Sequence, residues 1–186
     1  GPRGAAPGGG GPPRGARRAG LCQEAGCGGA QAGGGGGHRV AISRSQQEQG
    51  VDVKWRRVVH NAVDPGEYQP VCPEEKGDYL MQLARISPIK GQHLAIEVAK
   101  RVGLKLVLAG KVDPDSADYF DREIKPHIGD LVTWHENVVG TEKAQLLAKA
   151  RAMIFPIQWE EPFGLAMVEA MVSGTPVIAM ARGAAS

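Results

Sequence analysis

Two carboxylates, Glu161 and Glu169, stand eight residues apart in EEPFGLAMVEA (160–170), with Pro162, Phe163 and Gly164 directly after the first. The neighbours of Glu169 (Leu165, Met167, Val168, Met171 and Val172) are apolar, which predicts a largely buried helix. A carboxylate buried there without a partner is costly, so Glu169 needs a role. Pro162 suits the first turn of a helix. The amides of Phe163, Gly164 and Leu165 would then be unpaired donors, and Gly164 would let a ligand approach the backbone. On a regular helix, eight residues rising about 1.5 Å each span roughly 12 Å. That is about the reach from a sugar hydroxyl, across two phosphates, to a ribose. Glu161 would take the sugar and Glu169 the paired ribose hydroxyls. A second loop supplies the opposite charge. ARISPIKG (84–91) places Arg85 and Lys90 five residues apart, just before Gly91 opens a helix. A guanidinium and an ammonium at a helix N-terminus suit a phosphate group. Each feature has a plainer alternative: a solvated turn with two surface cations, a helix-start acid favoured by the dipole at Glu161, and a capped or salt-bridged core acid at Glu169.

The elements that must position these residues follow from apolar periodicity. HRVAIS (38–43) reads as a strand, SRSQQEQGVDVKW (43–55) begins as a helix, and RRVVHNAVD (56–64) is a strand running into a turn at Asp64-Pro65-Gly66. YQPVCPEEKGD (68–78) reads as a linker. From Asp78 onward, strands at 79–84, 105–110, 131–136, 152–157 and 175–181 alternate with helices at 92–103, 115–129, 141–150 and 163–174. Asp115 or Ser116 is the expected cap of the second helix and Thr141 that of the third. Apolar runs without alternation, separated by amphipathic helices, predict an α/β fold with a Rossmann-like parallel sheet covered on both faces. Ligands of such sheets bind beyond the carboxyl ends of the strands. The loops at 85–91, 110–114, 135–140 and 157–163 are therefore where a site is expected.

Composition divides the chain further. Residues 1–37 hold 16 of the 27 glycines, four prolines and four arginines, with Glu24 the only acid. So little can be buried there that a disordered Gly-rich tail is predicted. The basic balance resides in that tail, whose four arginines and one acid outweigh a slightly acidic remainder, and without aromatic interleaving the tail gives no expectation of nucleic-acid binding. Its GGGGG (33–37) precedes a strand and lacks the Lys-Ser/Thr of a phosphate loop. Cys22, Cys27 and Cys72 fit neither a disulfide framework nor a zinc pattern, which points to reduced thiols and a cytoplasmic protein. No run is long enough for a membrane span, and no signal-peptide core precedes the fold. DPD (113–115) could suggest a metal site, but Asp115 reads better as a helix cap, and His93, His127 and His135 lack ligand spacing. The two acids are also too far apart for a retaining glycosidase, which needs about 5 Å.

Taken in order, RISPIKG, LVLAGK, EKAQLLAKARAMIFP, EPFGLAMVEAM and SGTPVIA resemble the C-terminal, nucleotide-sugar-binding half of the GT-B glycosyltransferases, specifically the retaining glycosyltransferase family 4, whose signature is an E-x7-E pair. VAISRSQQ and WRRVVHNAVDPGEYQP resemble the junction between that family's two halves. The likeness runs over about residues 39–183. It implies a tail at 1–37, a remnant of the N-terminal half plus interdomain linker at 38–77, and a C-terminally truncated donor-binding domain at 78–186. It further implies transfer of a sugar from a nucleoside diphosphate to an unknown acceptor, with retention of configuration and without a metal or other cofactor. Arg85 and Lys90 match the basic pair on the donor diphosphate, and Glu161 the acid on the donor sugar. Glu169 matches the acid on the ribose. Phe163, Gly164 and Leu165 match the backbone over sugar and phosphates, and His135 to Val138 the region beside the base, with Gly110 counted among the donor-binding residues. Ala84 and Ala62 stand where the family has glycine. The acceptor-binding half is missing, so a fragment, or a non-catalytic nucleotide-binding remnant, is the alternative to an active enzyme.

Overall fold

The computed structural model describes residues 39–50 and 52–186; the predicted tail at 1–37 lies outside them. The chain enters on β1 (Arg39–Ala41), turns through helix α1 (Arg44–Gln49) and pairs β1 in parallel with β2 (Trp55–Val58). Ser43 caps α1, its hydroxyl accepting from the Gln46 amide at 2.9 Å. The strand expected over 56–64 is only four residues long, because the chain leaves the pairing before Asn61 and reaches a short 3₁₀ turn at Pro65–Glu67, capped by Asp64.

Five parallel strands follow: β3 (Tyr79–Leu83), β4 (Lys105–Ala109), β5 (Val132–His135), β6 (Ala152–Phe155) and β7 (Val177–Ala179). Their order across the sheet is β5-β4-β3-β6-β7. Helix α2 (Gln92–Val102) connects β3 to β4. The segment after β4 contains the single turn α3 (Ala117–Tyr119). Helix α4 (Gly140–Lys149) precedes β6, and α5 (Leu165–Val172) lies between β6 and β7. The α/β class with a parallel sheet is as the sequence predicts. The strand order reverses direction between β3 and β6, and that crevice is where doubly wound sheets take ligands.

The inner strands β3, β4 and β6 are buried on both faces, which is why they do not alternate in polarity, whereas the edge strand β7 leaves Ile178 exposed. Neighbouring residues simply enter opposite cores. Met81, Met153 and Phe155 join Leu147 and Ala170 on the face covered by α4 and α5. Leu80, Leu106, Leu108 and Ile154 join Ile96 and Ile124 on the other. Helix α2 presents Ala95, Ile96 and Ala99 to the sheet and ends on left-handed Gly103.

The segment 115–129 departs from expectation. It runs as a 3₁₀ turn, one α turn, a wider π turn over Phe120–Ile124 and a second 3₁₀ turn over Lys125–His127. Pro126 has no amide to donate, so a regular helix cannot run through it. Neither Asp115 nor Ser116 makes a side-chain cap there. Thr141 does not cap α4 either: that helix already begins at Gly140, with Val139 at its N-cap. No non-glycine residue among those described has positive φ, so Ala62 and Ala84 sit in ordinary backbone.

Gly91 does need to be glycine. It is left-handed (φ +71°) and joins the β3 loop to α2. A Cβ there would run into the carbonyl oxygen of Pro156, at the end of β6. Gly103 is equally left-handed (φ +66°) but has open space around it. In thermal melts, Gly103→Ala is expected to lower Tm by about 3–6 °C, the effect of left-handed strain alone. Gly91→Ala should lose at least twice that, and equal losses would contradict the close approach.

Candidate functional site

Two loops at the carboxyl end of the sheet, on either side of the β3–β6 crevice, carry most of the charged residues singled out above. Loop 84–91 leaves β3 alongside loop 110–114. Ile86 donates to the Lys111 carbonyl at 2.8 Å, and the Asp113 amide donates back to Ile86 at 3.1 Å. Two glutamines buried to 1% exposure fix its path. Gln92 donates to the Arg85 carbonyl at 2.9 Å and accepts from the Ser87 amide at 3.3 Å. Gln82, the one polar residue of β3's interior, donates to the Lys90 carbonyl at 2.6 Å. A buried amide side chain must find partners, and here the partners are the backbone of the residues to be positioned. Gln82 Oε1 and the Ser87 hydroxyl find no partner among the described residues.

Loop 156–164 leaves β6 across the crevice. The Gln158 amide donates to the Ile89 carbonyl at 2.7 Å, tying this loop to the first. As a result the Lys90 ammonium meets the Glu161 carboxylate at 3.1 Å, with side-chain exposures of only 14% and 12%. Trp159 completes the cluster. Its indole N–H donates to the same Glu161 Oε2 at 3.1 Å, and the ammonium lies 4.5 Å from its ring centre. The Glu161 segment is held from outside as well. Its carbonyl accepts from the Ala184 amide at 2.7 Å, and the Ser43 hydroxyl at the head of α1 donates to the Pro162 carbonyl.

Arg85 is not brought to Glu161. Its guanidinium, 58% exposed, pairs with Asp113 at 3.0 Å. Asp113 is therefore the informative residue of DPD, through an ion pair that sequence reading did not foresee. Glu161 and Glu169 also do not share one helix. Helix α5 begins only at Leu165, behind a left-handed Gly164 (φ +83°), so Pro162 stands ahead of the first turn and the 12 Å helical separation does not apply. The Met167 and Val168 amides both turn back to the Gly164 carbonyl, at 2.9 and 3.3 Å. This leaves the amides of Phe163, Gly164 and Leu165 ahead of the helix's own ladder, as donors at its positive end. Phe163 lies 5.9 Å from the His60 ring, Gly164 is buried and Leu165 exposed.

Glu169 is salt-bridged: Lys143 of α4 reaches its Oε1 at 2.9 Å, with exposures of 16% for the acid and 22% for the lysine. Behind them the Tyr68 ring lies 5.6 Å from the ammonium. Burial pushes the Tyr68 phenol above the ordinary tyrosine pKa, so it stays protonated at neutral pH. For Lys143, burial works to lower the pKa, but Tyr68 and Glu169 outweigh it and the ammonium ends above the usual lysine value. On the β4–β5 side, Gly110 donates to the His135 carbonyl at 2.9 Å and accepts the Trp134 indole at 3.0 Å. His135 lies 3.7 Å from Glu142, and Val138 packs against the core. Among the described residues no three His, Cys, Asp or Glu gather as a metal-ligand set.

Sequence reading missed Asp113, Lys143, Tyr68, Trp159 and the two glutamines. Gln82 was visible as a polar residue inside YLMQLA, and a partner for Glu169 was demanded by burial. No sequence signal singles out Lys143 or Tyr68 as that partner.

Known proteins resemble this chain in sequence and in fold. The chain is 31% identical over 144 residues to the D-inositol 3-phosphate glycosyltransferase of Mycobacterium marinum, covering 68% of this chain and 30% of the relative. It is 32% identical over 115 residues to the trehalose synthase of Pyrococcus horikoshii, covering 56% and 28%. The chain thus spans about a third or less of these relatives. Among solved structures, AviGT4, a glycosyltransferase of avilamycin A biosynthesis, superposes with a TM-score of 0.65 at 32% identity, over 77% of this chain and 44% of that one. Anabaena HepE, solved in complex with UDP and glucose, superposes with a TM-score of 0.67 at 24% identity, over 78% and 45%; it speaks for the fold, that of GT-B glycosyltransferase structures. The family described as glycosyl transferases group 1 matches residues 68–186, and the chain belongs to it.

Proposed function

We propose that the chain is the donor-binding part of a retaining, family 4 hexosyltransferase that takes its sugar from a nucleoside diphosphate. The observation that carries this reading is the Lys90–Glu161–Trp159 cluster at the strand-order reversal, beside the free amides that open α5. In it, Lys90 and Arg85 hold the diphosphate, Glu161 the sugar hydroxyls and Glu169 the ribose. The amides of Phe163, Gly164 and Leu165 cover the phosphates, with Gly110 and His135 to Val138 toward the base. When the bond from the anomeric carbon to the phosphate oxygen breaks, negative charge grows on the departing diphosphate. Two fixed cations and a helix N-terminus stabilise that charge without a metal ion.

Each charged residue of this site is already partnered inside the chain: Lys90 with Glu161, Arg85 with Asp113, Glu169 with Lys143. Binding is therefore an exchange. A diphosphate displaces Glu161 from Lys90, and the released carboxylate faces the sugar. The acceptor, the second wall of the cleft and a cytoplasmic setting belong to the whole enzyme in this reading. Among the described residues no helix is long and apolar enough to cross a membrane.

Titration calorimetry with UDP, and with ADP and GDP in parallel, tests the exchange. Lys90→Ala and Arg85→Ala are expected to weaken the preferred diphosphate by about tenfold or more, the size of one charge-assisted hydrogen bond, while leaving the bare nucleoside unchanged. Glu161→Gln should tighten the diphosphate by about two- to fivefold, as removal of the resident competitor for Lys90 implies, yet weaken the corresponding nucleotide sugar. Equal losses for nucleoside and diphosphate would contradict the roles. In transfer assays the chain alone is expected to bind donor with little turnover, since a one-walled cleft does not exclude water. Rapid turnover by the isolated chain would contradict the division of labour, and absence of any nucleotide binding would overturn the reading itself.

A further inference from the structure

Glu169 projects from a helix whose other residues are almost all apolar, and its carboxylate is five-sixths buried. A side chain with three rotatable bonds does not hold one orientation there unaided, and its charge needs compensation. Both needs are met by residues from other parts of the chain. Lys143, in the first half of α4, bonds Oε1 at 2.9 Å. Lys143 is itself long and flexible, and Tyr68, 3% exposed, stands against it with its ring 5.6 Å from the ammonium. Tyr68 follows the short 3₁₀ turn at Pro65–Glu67 and packs into the same core as Leu147, Met167 and Ala170. The order of support is thus core, phenol ring, ammonium, carboxylate. The raised pKa values of Tyr68 and Lys143 fit a neutral phenol beside a firmly charged ammonium.

We infer that Lys143 and Tyr68 are positioning residues that aim and ionise Glu169, and through it set a preference for ligands carrying a ribose diol over deoxy analogues. The inference rests on the assignment of Glu169 to the ribose. Neither residue is assigned a ligand contact: Lys143 bonds Oε1 and the Tyr68 phenol interacts with the same carboxylate, so the acid is held from two sides while it accepts from an incoming hydroxyl. A carboxylate accepts strongly from a diol only while it is charged and fixed, and the cost of leaving it unpaired is what lets a site reject an analogue lacking the hydroxyl.

The test compares UDP with 2′,3′-dideoxy-UDP by calorimetry on the full chain and its variants. The unaltered chain is expected to favour UDP by about tenfold, the worth of one or two hydrogen bonds to a charged acceptor. Lys143→Gln should shrink that ratio to about threefold or less, and Lys143→Arg, which keeps the cation, should retain most of it. A purely structural role would weaken both ligands equally and leave the ratio intact, and that result overturns the inference. Glu169→Gln separates the two levels. If it abolishes the ratio while Lys143→Gln preserves it, the positioning role alone falls. If it leaves the ratio untouched, the ribose assignment falls and the positioning role with it. The double variant Lys143→Gln with Glu169→Gln has no unpaired charge and guards against loss of folding in the single variant. It should bind UDP within about twofold of Glu169→Gln alone, because a residue acting only through Glu169 has nothing left to act on. A further large loss overturns the inference.

Discussion

The structure turns on one ion pair, Lys90 with Glu161, formed across the crevice where the strand order reverses. Two charges this far out of water are costly unless their geometry and remaining bonds are good. The cluster meets that condition with the Trp159 indole, which donates to the carboxylate and offers its ring face to the ammonium. The pair also explains features far from it. Gly91 is left-handed so that the loop can pass the end of β6, Gln82 holds the Lys90 backbone, and Ser43 of α1 and Ala184 near the last residues hold the Glu161 segment. Residues distant in sequence thus converge on one carboxylate and one ammonium.

The other two pairs follow the same logic at different depths. Arg85 is largely in solvent and Asp113 mostly buried, and a pair with one exposed partner contributes little to stability. Their value lies in holding the guanidinium beside the carboxyl end of β3. Lys143 and Glu169 are deeper, and Tyr68 makes them a three-part arrangement that links residues before β3 to the middle of α5. A site built of internally satisfied charges is stable without ligand and still offers cations to an anion that outcompetes the resident carboxylates.

Much of this was legible in the sequence. Continuous apolar runs in the inner strands are a direct consequence of burial, so the alternation of strand and helix could be read from them; in α2 the helical period Leu94, Ala95, Val98, Ala99 and Val102 gave the helix, but Ile96 is buried where Val98 and Val102 are exposed. The loops bearing Arg85, Lys90 and Glu161 followed from that order. Local chemistry was less legible. The expected caps at Asp115, Ser116 and Thr141 failed because a cap depends on where the first helical bond closes, which tertiary packing decides. The roughly 12 Å estimated from helical rise between Glu161, ahead of the helix, and Glu169, inside it, does not apply because Gly164 takes a left-handed turn that no periodicity announces. In the sequence Lys143 is one residue of the predicted helix 141–150 and Tyr68 the first of a predicted linker. Their meeting depends on two elements more than seventy residues apart packing against each other.

The most direct measurement is a crystal structure of the chain with UDP bound. The Lys90 ammonium should have left Glu161 and lie about 3 Å from a phosphate oxygen, the ordinary length of a charge-assisted bond, with the amides opening α5 on the diphosphate and the Glu161 carboxylate turned toward the space beyond it. A structure in which UDP binds elsewhere, or in which the Lys90–Glu161 pair stays closed beside a bound diphosphate, would contradict the central role given to that pair.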